Sequence, residues 1–237
     1  MGQFSWTMLK SKPASLSKAL KSGEKCIKEI TRSLSSSAHK VRVLSQLESF
    51  IKSLQEIEAS QGLGDLENLP CLSFVQASGV IQLHPSFLGN VSSGIYSYLS
   101  NFLMHYDEDL KGVWVSCGNV KQLDSLGYLT SGDACGLVTF KVALKILVFI
   151  PKLDDIIGKI NRMRPTSISV LIYGVFNATI KSEDVKDTIQ YDGTQYKTVT
   201  GERIIDNDTI IPLKITNVTV LPKNRWVNLT AILNIKQ

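Results

Sequence analysis

Three histidines, four cysteines and no long apolar run leave this 237-residue sequence without the raw material of several protein classes. Its longest apolar-rich stretch, Leu137 to Ile150, is interrupted by Lys141 and Lys145. That falls short of the roughly 20 clean residues a bilayer crossing takes, so no membrane partner is expected. The opening residues Met1-Gly2-Gln3-Phe4-Ser5-Trp6 hold neither the charged head and apolar core of a secretory signal nor the Ser or Thr a myristoylation motif wants at its sixth position. An intracellular chain is expected, in which the Asn-x-Ser/Thr triplets at Asn90, Asn177, Asn207, Asn217 and Asn228 are chance.

Catalytic material is as scarce. Cys26, Cys71, Cys117 and Cys135 are too far apart in sequence for a zinc knuckle or a redox dithiol and read as buried free thiols. His39, His84 and His105 sit in no hydrolase, metalloprotease or nucleotide-loop pattern. His105 and Asp107 fall on a stretch read as helix, where close neighbours point apart. Gly132-Asp133-Ala134-Cys135-Gly136 lacks the Lys-Ser/Thr that completes a phosphate loop. No catalytic residue, metal or cofactor is expected, and the chain reads as non-enzymatic.

What is present is ordinary globular composition, 43% hydrophobic and 20% charged, which excludes a disordered chain. The net charge of +5 is unevenly spread: eight Lys/Arg face two acids in residues 1–40, two face five in 41–70, six face seven in 71–160, and ten face seven in 161–237. A basic N-terminal arm attracts phosphate or an acidic surface, and its plainer reading is a solvated helix face.

Periodicity divides the chain in three. Residues 14–60 read as two helices broken at Ser33 to Ser37, with Leu44, Leu47, Ile51, Leu54 and Ile57 on one face. Gly62, Gly64 and Pro70 then mark a linker and a domain boundary near residue 69. Residues 70–150 read as strand, helix, strand, strand: Leu72 to Leu83, Ser92 to Tyr106, Gly112 to Cys117 and Leu137 to Ile150. In the last of these Val138, Phe140, Val142 and Leu144 alternate with Thr139, Lys141, Ala143 and Lys145, so the sheet is half exposed. Residues 151–237 are all β, with strands at Ile156 to Arg162, Ser167 to Val175, Thr209 to Val220 and Arg225 to Ile235, the size of a five-stranded oligonucleotide-binding barrel. The class is α+β.

Such barrels hold single strands of nucleic acid by combining a basic groove with aromatic stacking. The candidates for RNA contact are Arg162 and Arg164 at the first hairpin, Tyr173 after the second strand, and Lys214, Lys223 and Arg225 around the last one. Phe176 and Trp226 read as core.

The stretch Ile172-Tyr173-Gly174-Val175-Phe176-Asn177-Ala178-Thr179-Ile180 resembles the barrel signature of the larger stalk subunit of RNA polymerase I. Upstream, Leu83-His84-Pro85-Ser86-Phe87-Leu88-Gly89, Gly94-Ile95, Leu99, Tyr106 and Gly112-Val113-Trp114-Val115 resemble its tip domain. The two matches cover residues 71–237 and leave the helical extension 1–69 unexplained. Ser169 departs from the pattern, where glycine is common. That family is paralogous to the seventh subunit of RNA polymerase II and to the corresponding stalk protein of the archaeal polymerase. The resemblance implies a tip domain of a helix on an antiparallel sheet, a five-stranded OB/S1-like barrel, and a smaller stalk subunit as partner. It further implies docking on the polymerase core, reception of the polymerase I initiation factor, contact with nascent RNA, and a home in the nucleus and nucleolus. Docking candidates are Pro85, Phe87, Leu88 and Gly112, with Ser92 or Ser93 as helix cap. The alternatives are a stalk subunit of another nuclear polymerase and a free-standing OB-fold RNA-binding protein.

Overall fold

The computed structural model describes residues 6–33, 38–61, 69–124, 126–129, 136–153, 155–185, 189–191, 196–198, 204–205, 209–221 and 225–234. It divides into two compact units, Met1–Ile150 and Pro151–Gln237.

The first unit is built on a six-stranded sheet in the order β1 (Thr7–Pro13), β2 (Leu72–Leu83), β6 (Val138–Phe149), β4 (Gly112–Gln122), β3 (Tyr106–Asp107), with β5 (Tyr128–Leu129) also paired to β6. The centre is β6. It pairs antiparallel with β2 from Leu72↔Phe149 to Leu83↔Val138 and with β4 on its other side. Its alternation survives folding, with Val138, Phe140, Val142 and Leu144 buried and Lys141 exposed. Leu147, Val148 and Phe149 are buried in succession, so the end of the strand is covered on both faces.

Ahead of the helix that carries most of the basic arm's lysines, Thr7–Pro13 form a strand. All seven residues of β1 are exposed, and the strand exists because its backbone completes the edge of β2 in the register Lys10↔Gln76, Lys12↔Phe74. No apolar alternation signals such an edge strand, because pairing and not burial makes it. Its anchor is Trp6, whose ring is buried against Trp114 (centroids 5.2 Å apart) and Phe102 (6.1 Å). Its backbone N–H donates to Asp109 Oδ2 at 2.9 Å. The ring lies on Gly79, where a Cβ would come within 2.6 Å of it.

Two helices follow, α1 (Leu16–Arg32) and α2 (Ala38–Gln61). Leu16, Ala19, Gly23, Cys26 and Ile30 form the buried stripe of α1. On α2 the stripe is Val43, Leu47, Phe50, Ile51 and Leu54, one step round from the expected face, so that Leu44 and Ile57 are only half-buried. These helices pack on each other and α1 packs along β4, where Ser22 and Ser116 share a 2.8 Å hydrogen bond. The extension is thus part of the same compact unit as the sheet, and the boundary placed near residue 69 separates no compact bodies. Chain passage there is tied by Leu69 N–H to Ala14 O (2.8 Å) and Ala14 N–H to Leu72 O (3.0 Å). Lys40 is buried where α2 begins. Its ammonium donates to Ser33 O, just past the end of α1, at 3.1 Å, and burial lowers its pKa below the usual lysine range.

The helix expected over 92–106 is shorter, α3 (Val91–Leu99). Asn90 caps it, accepting from Ser93 N–H at 3.1 Å, in place of Ser92 or Ser93. Beyond it, Met104 adopts φ 61° and Leu103 bridges to Trp114, so Phe102 and Leu103, which mimic helical spacing, lie outside the helix.

The second unit is a closed barrel in the order β7 (Asp155–Arg164), β8 (Ser167–Ile172), β9 (Phe176–Lys181), β14 (Trp226–Leu233), β13 (Ile210–Leu221), back to β7. Its interior takes alternate residues, among them Ile160, Val170, Ala178, Leu213 and Leu229, each burial worth about 1.5–3 kcal/mol for a full-sized side chain. The pair β9 and β14 is parallel and the rest are antiparallel. The run read as one strand to Val175 is broken by Tyr173 and Gly174, both at positive φ. Between β9 and β13 lies an unanticipated small sheet of β10 (Ile189–Tyr191), β11 (Tyr196–Thr198) and β12 (Ile204–Ile205).

Candidate interaction surfaces

On the first unit the four docking candidates separate. Pro85 and Phe87 form a short 3₁₀ turn that His84 Nδ1 caps by accepting from Ser86 N–H. Phe87 is half-buried on α3, where its Cβ and Cγ lie 2.8 Å from the place a Cβ on Gly94 would occupy. Leu88, next in sequence, is 54% exposed. Gly112 is buried under Val148 and Phe149 and offers no surface of its own. Its place among docking residues is therefore corrected to a packing role at the start of β4.

A further run of exposed apolar residues went unforeseen. Leu123, Leu126, Tyr128 and Leu129 are all exposed between β4 and the start of β6. Tyr128 and Leu129 are consecutive in β5 and so point to opposite faces of the sheet, and exposed apolar residues so dense in sequence are candidates for partner contact. The signal was in the sequence: apolar residues without periodicity, set among Gly, Ser and Asp.

On the barrel, strand register decides which cations meet. Arg164 pairs with Ser167, which pairs with Lys181; Arg162 pairs with Ser169, which pairs with Thr179. Directly paired residues share a face, so two adjacent rows bring Arg162, Arg164 and Lys181 together on the exposed side of three strands. Lys181 was missed because no strand was expected over Phe176–Lys181, beyond the run that ended at Val175. Lys214 lies across from Asp155, an opposite charge on the neighbouring strand. Arg225 is exposed at φ 51° in the turn before β14, and Lys223 lies outside the described residues. Tyr173 is 3% exposed, which leaves no ring face for stacking and removes it from the RNA set. Phe176 is core. A second exposed feature is apolar: Ile157, paired with Pro212, and Ile210, paired with Lys159, face outward together.

The thiols Cys26 and Cys117, 91 residues apart, meet at 3.9 Å between α1 and β4, and Cys117 N–H donates to Cys26 Sγ. The hydrogen bond to Cys26 and burial push the Cys117 thiol above its usual range. His39 and His105 stack at 5.5 Å, with His39 Nε2 3.2 Å from Ser100 O. Among the described residues no three His, Cys, Asp or Glu side chains are grouped to hold a metal, and no helix is long and apolar enough to cross a membrane.

An antiparallel sheet packed against helices, followed by a closed five-stranded barrel, makes this an α+β protein. Residues 78–134 match the SHS2 domain found in the N terminus of Rpb7p/Rpc25p/MJ0397. The chain is also similar to DNA-directed RNA polymerase I subunit RPA43: 29% identical over 112 residues to that of Danio rerio (47% of this chain, 28% of the relative) and 30% over 101 residues to that of Homo sapiens (42% and 29%). To the probable RPA43 of Dictyostelium discoideum it is 25% identical over 123 residues (52% and 34%). Over part of its length, then, the chain is similar to RNA polymerase I subunit RPA43 of these organisms. The matched stretch spans about a third or less of the length of each of these relatives.

Proposed function

We propose that this chain is a non-catalytic stalk subunit of RNA polymerase I, acting in ribosomal RNA gene transcription in the nucleolus. The observation that carries this reading is the SHS2 match at residues 78–134 in a chain whose next unit is a five-stranded barrel. The first unit docks on the polymerase core through exposed apolar side chains, Leu88 and, further along the chain, Leu126 and Leu129. The smaller stalk subunit seats on exposed apolar surface such as Ile157 and Ile210, and the assembled stalk receives the initiation factor. Affinity purification of the tagged chain tests the assignment. The largest polymerase I subunit should be recovered in stoichiometric amount; recovery of another polymerase's largest subunit, or of the chain alone, would overturn it.

Replacing Leu88 and Leu129 together with Ser should reduce recovery of the polymerase core at least about tenfold, since exposed anchors of this kind carry about 1–2 kcal/mol each. Both side chains are exposed, so the melting of the free chain should not change. Normal recovery of the core would reject the docking surface.

Nascent RNA meets the barrel at Arg162, Arg164 and Lys181. Phosphate contacts of this sort are sequence-tolerant and salt-sensitive. Changing the three to Ser should weaken RNA crosslinking to the stalk and flatten its dependence on salt by about two to three ion equivalents. Equal crosslinking at every salt concentration would exclude this face.

A further inference from the structure

A hollow of about 200 Å³ lies between α1 and the sheet, walled by Lys18, Lys21 and Lys25 of the helix and by Lys145, Phe74 and Asn119 of the strands. Its lining contains no Asp or Glu. The three helical lysines recur three and four residues apart and so share one face, held in place because the neighbouring stripe of α1 is buried. Lys25 Nζ reaches Asn119 Oδ1 at 3.4 Å, and Lys145 Nζ rides 4.0 Å above the Phe74 ring. Among the described residues the ion pair of α1 is Arg32 with Glu29, which leaves these four ammonium groups without a carboxylate. Register extends the charge: Lys10 pairs with Gln76, which pairs with Lys145, and all three share one face of the sheet. Like charges gathered around a concavity raise one another's energy, and an anion bound there offsets it.

We propose that this hollow is a docking site for an acidic protein segment, whose carboxylates sit among the four ammonium groups. Two features favour protein over RNA. Single-stranded nucleic acid sites combine cations with open aromatic faces, and the one ring here, Phe74, is 7% exposed and already covered by Lys145. The charges are also all lysines, compact point charges that accept an anion in many orientations, whereas phosphate-backbone and base recognition favours the planar fork of arginine. The inference stands independently of the polymerase assignment.

Fluorescence anisotropy of the full chain with a labelled deca-glutamate peptide, and separately with labelled decauridylate, tests it. Changing Lys18, Lys21 and Lys25 to Gln should weaken the peptide about tenfold or more, while the corresponding Arg variant retains binding. The three side chains are exposed, so both variants should melt like the parent. Undiminished peptide binding by the Gln variant would overturn the proposal. So would a decauridylate affinity that exceeds that of the peptide and is lost in the same variant, because the site would then belong to nucleic acid.

Discussion

Truncating Trp6 to alanine should cost the first unit about 3–5 kcal/mol, a large part of the 5–15 kcal/mol that keeps a domain folded. The ring fills a place that no neighbour can reach. Its edge meets Trp114 and Phe102, and beneath it Gly79 has no side chain with which to close the gap. Loss of the ring also frees β1, whose exposed residues contribute pairing to β2 and little burial. Urea denaturation should report a lower midpoint, and the Phe variant should fall between. A shift below about 1 kcal/mol would mean that the arm is not part of the core, since substitutions outside cores rarely exceed that size.

Replacing Gly112 with alanine should destabilise the same unit by about 3 kcal/mol, at the upper end of overpacking costs. The new Cβ would lie 2.5 Å from Val148 Cγ1 and 2.7 Å from the Phe149 carbonyl oxygen. A side chain can rotate away. The carbonyl cannot, because Phe149 is held in register between Leu72 and Val113. The result also decides the residue's role. Packing predicts a lower melting temperature for the free chain, whereas a docking contact would leave melting intact and weaken association with the polymerase core.

The fold was legible wherever burial writes a period. The strand Leu72–Leu83 coincides with its expected bounds, and the alternation of β6 is a direct record of a sheet with one open face. What escaped is what burial does not write. β1 is an exposed edge, the turn at Tyr173 and Gly174 interrupts a continuous β-prone run, and α3 ends at Leu99 although Phe102 and Leu103 continue its spacing. The surfaces follow the same rule. Arg162 and Arg164 could be nominated from their place at a hairpin, but only pairing across β8 adds Lys181. Tyr173 failed as a contact because sequence alone does not tell an inward ring from an outward one. The lysine hollow was half visible, as a basic helix, and its other wall came from Phe74, Asn119 and Lys145, about 50 to 130 positions away.

The central strand of the first unit is also the last of its strands to be synthesised. β2 and β4 have no ladder between them until Val138–Phe149 arrives, and β14, the final strand of the second unit, likewise closes the gap between β9 and β13. A growing chain halted before Val138 therefore exposes two long unpaired strand edges at once, together with the apolar residues β6 would cover. Each unit is thus completed by a single closure on the arrival of its last strand instead of a gradual build-up. Chaperone demand during translation should peak just before each one.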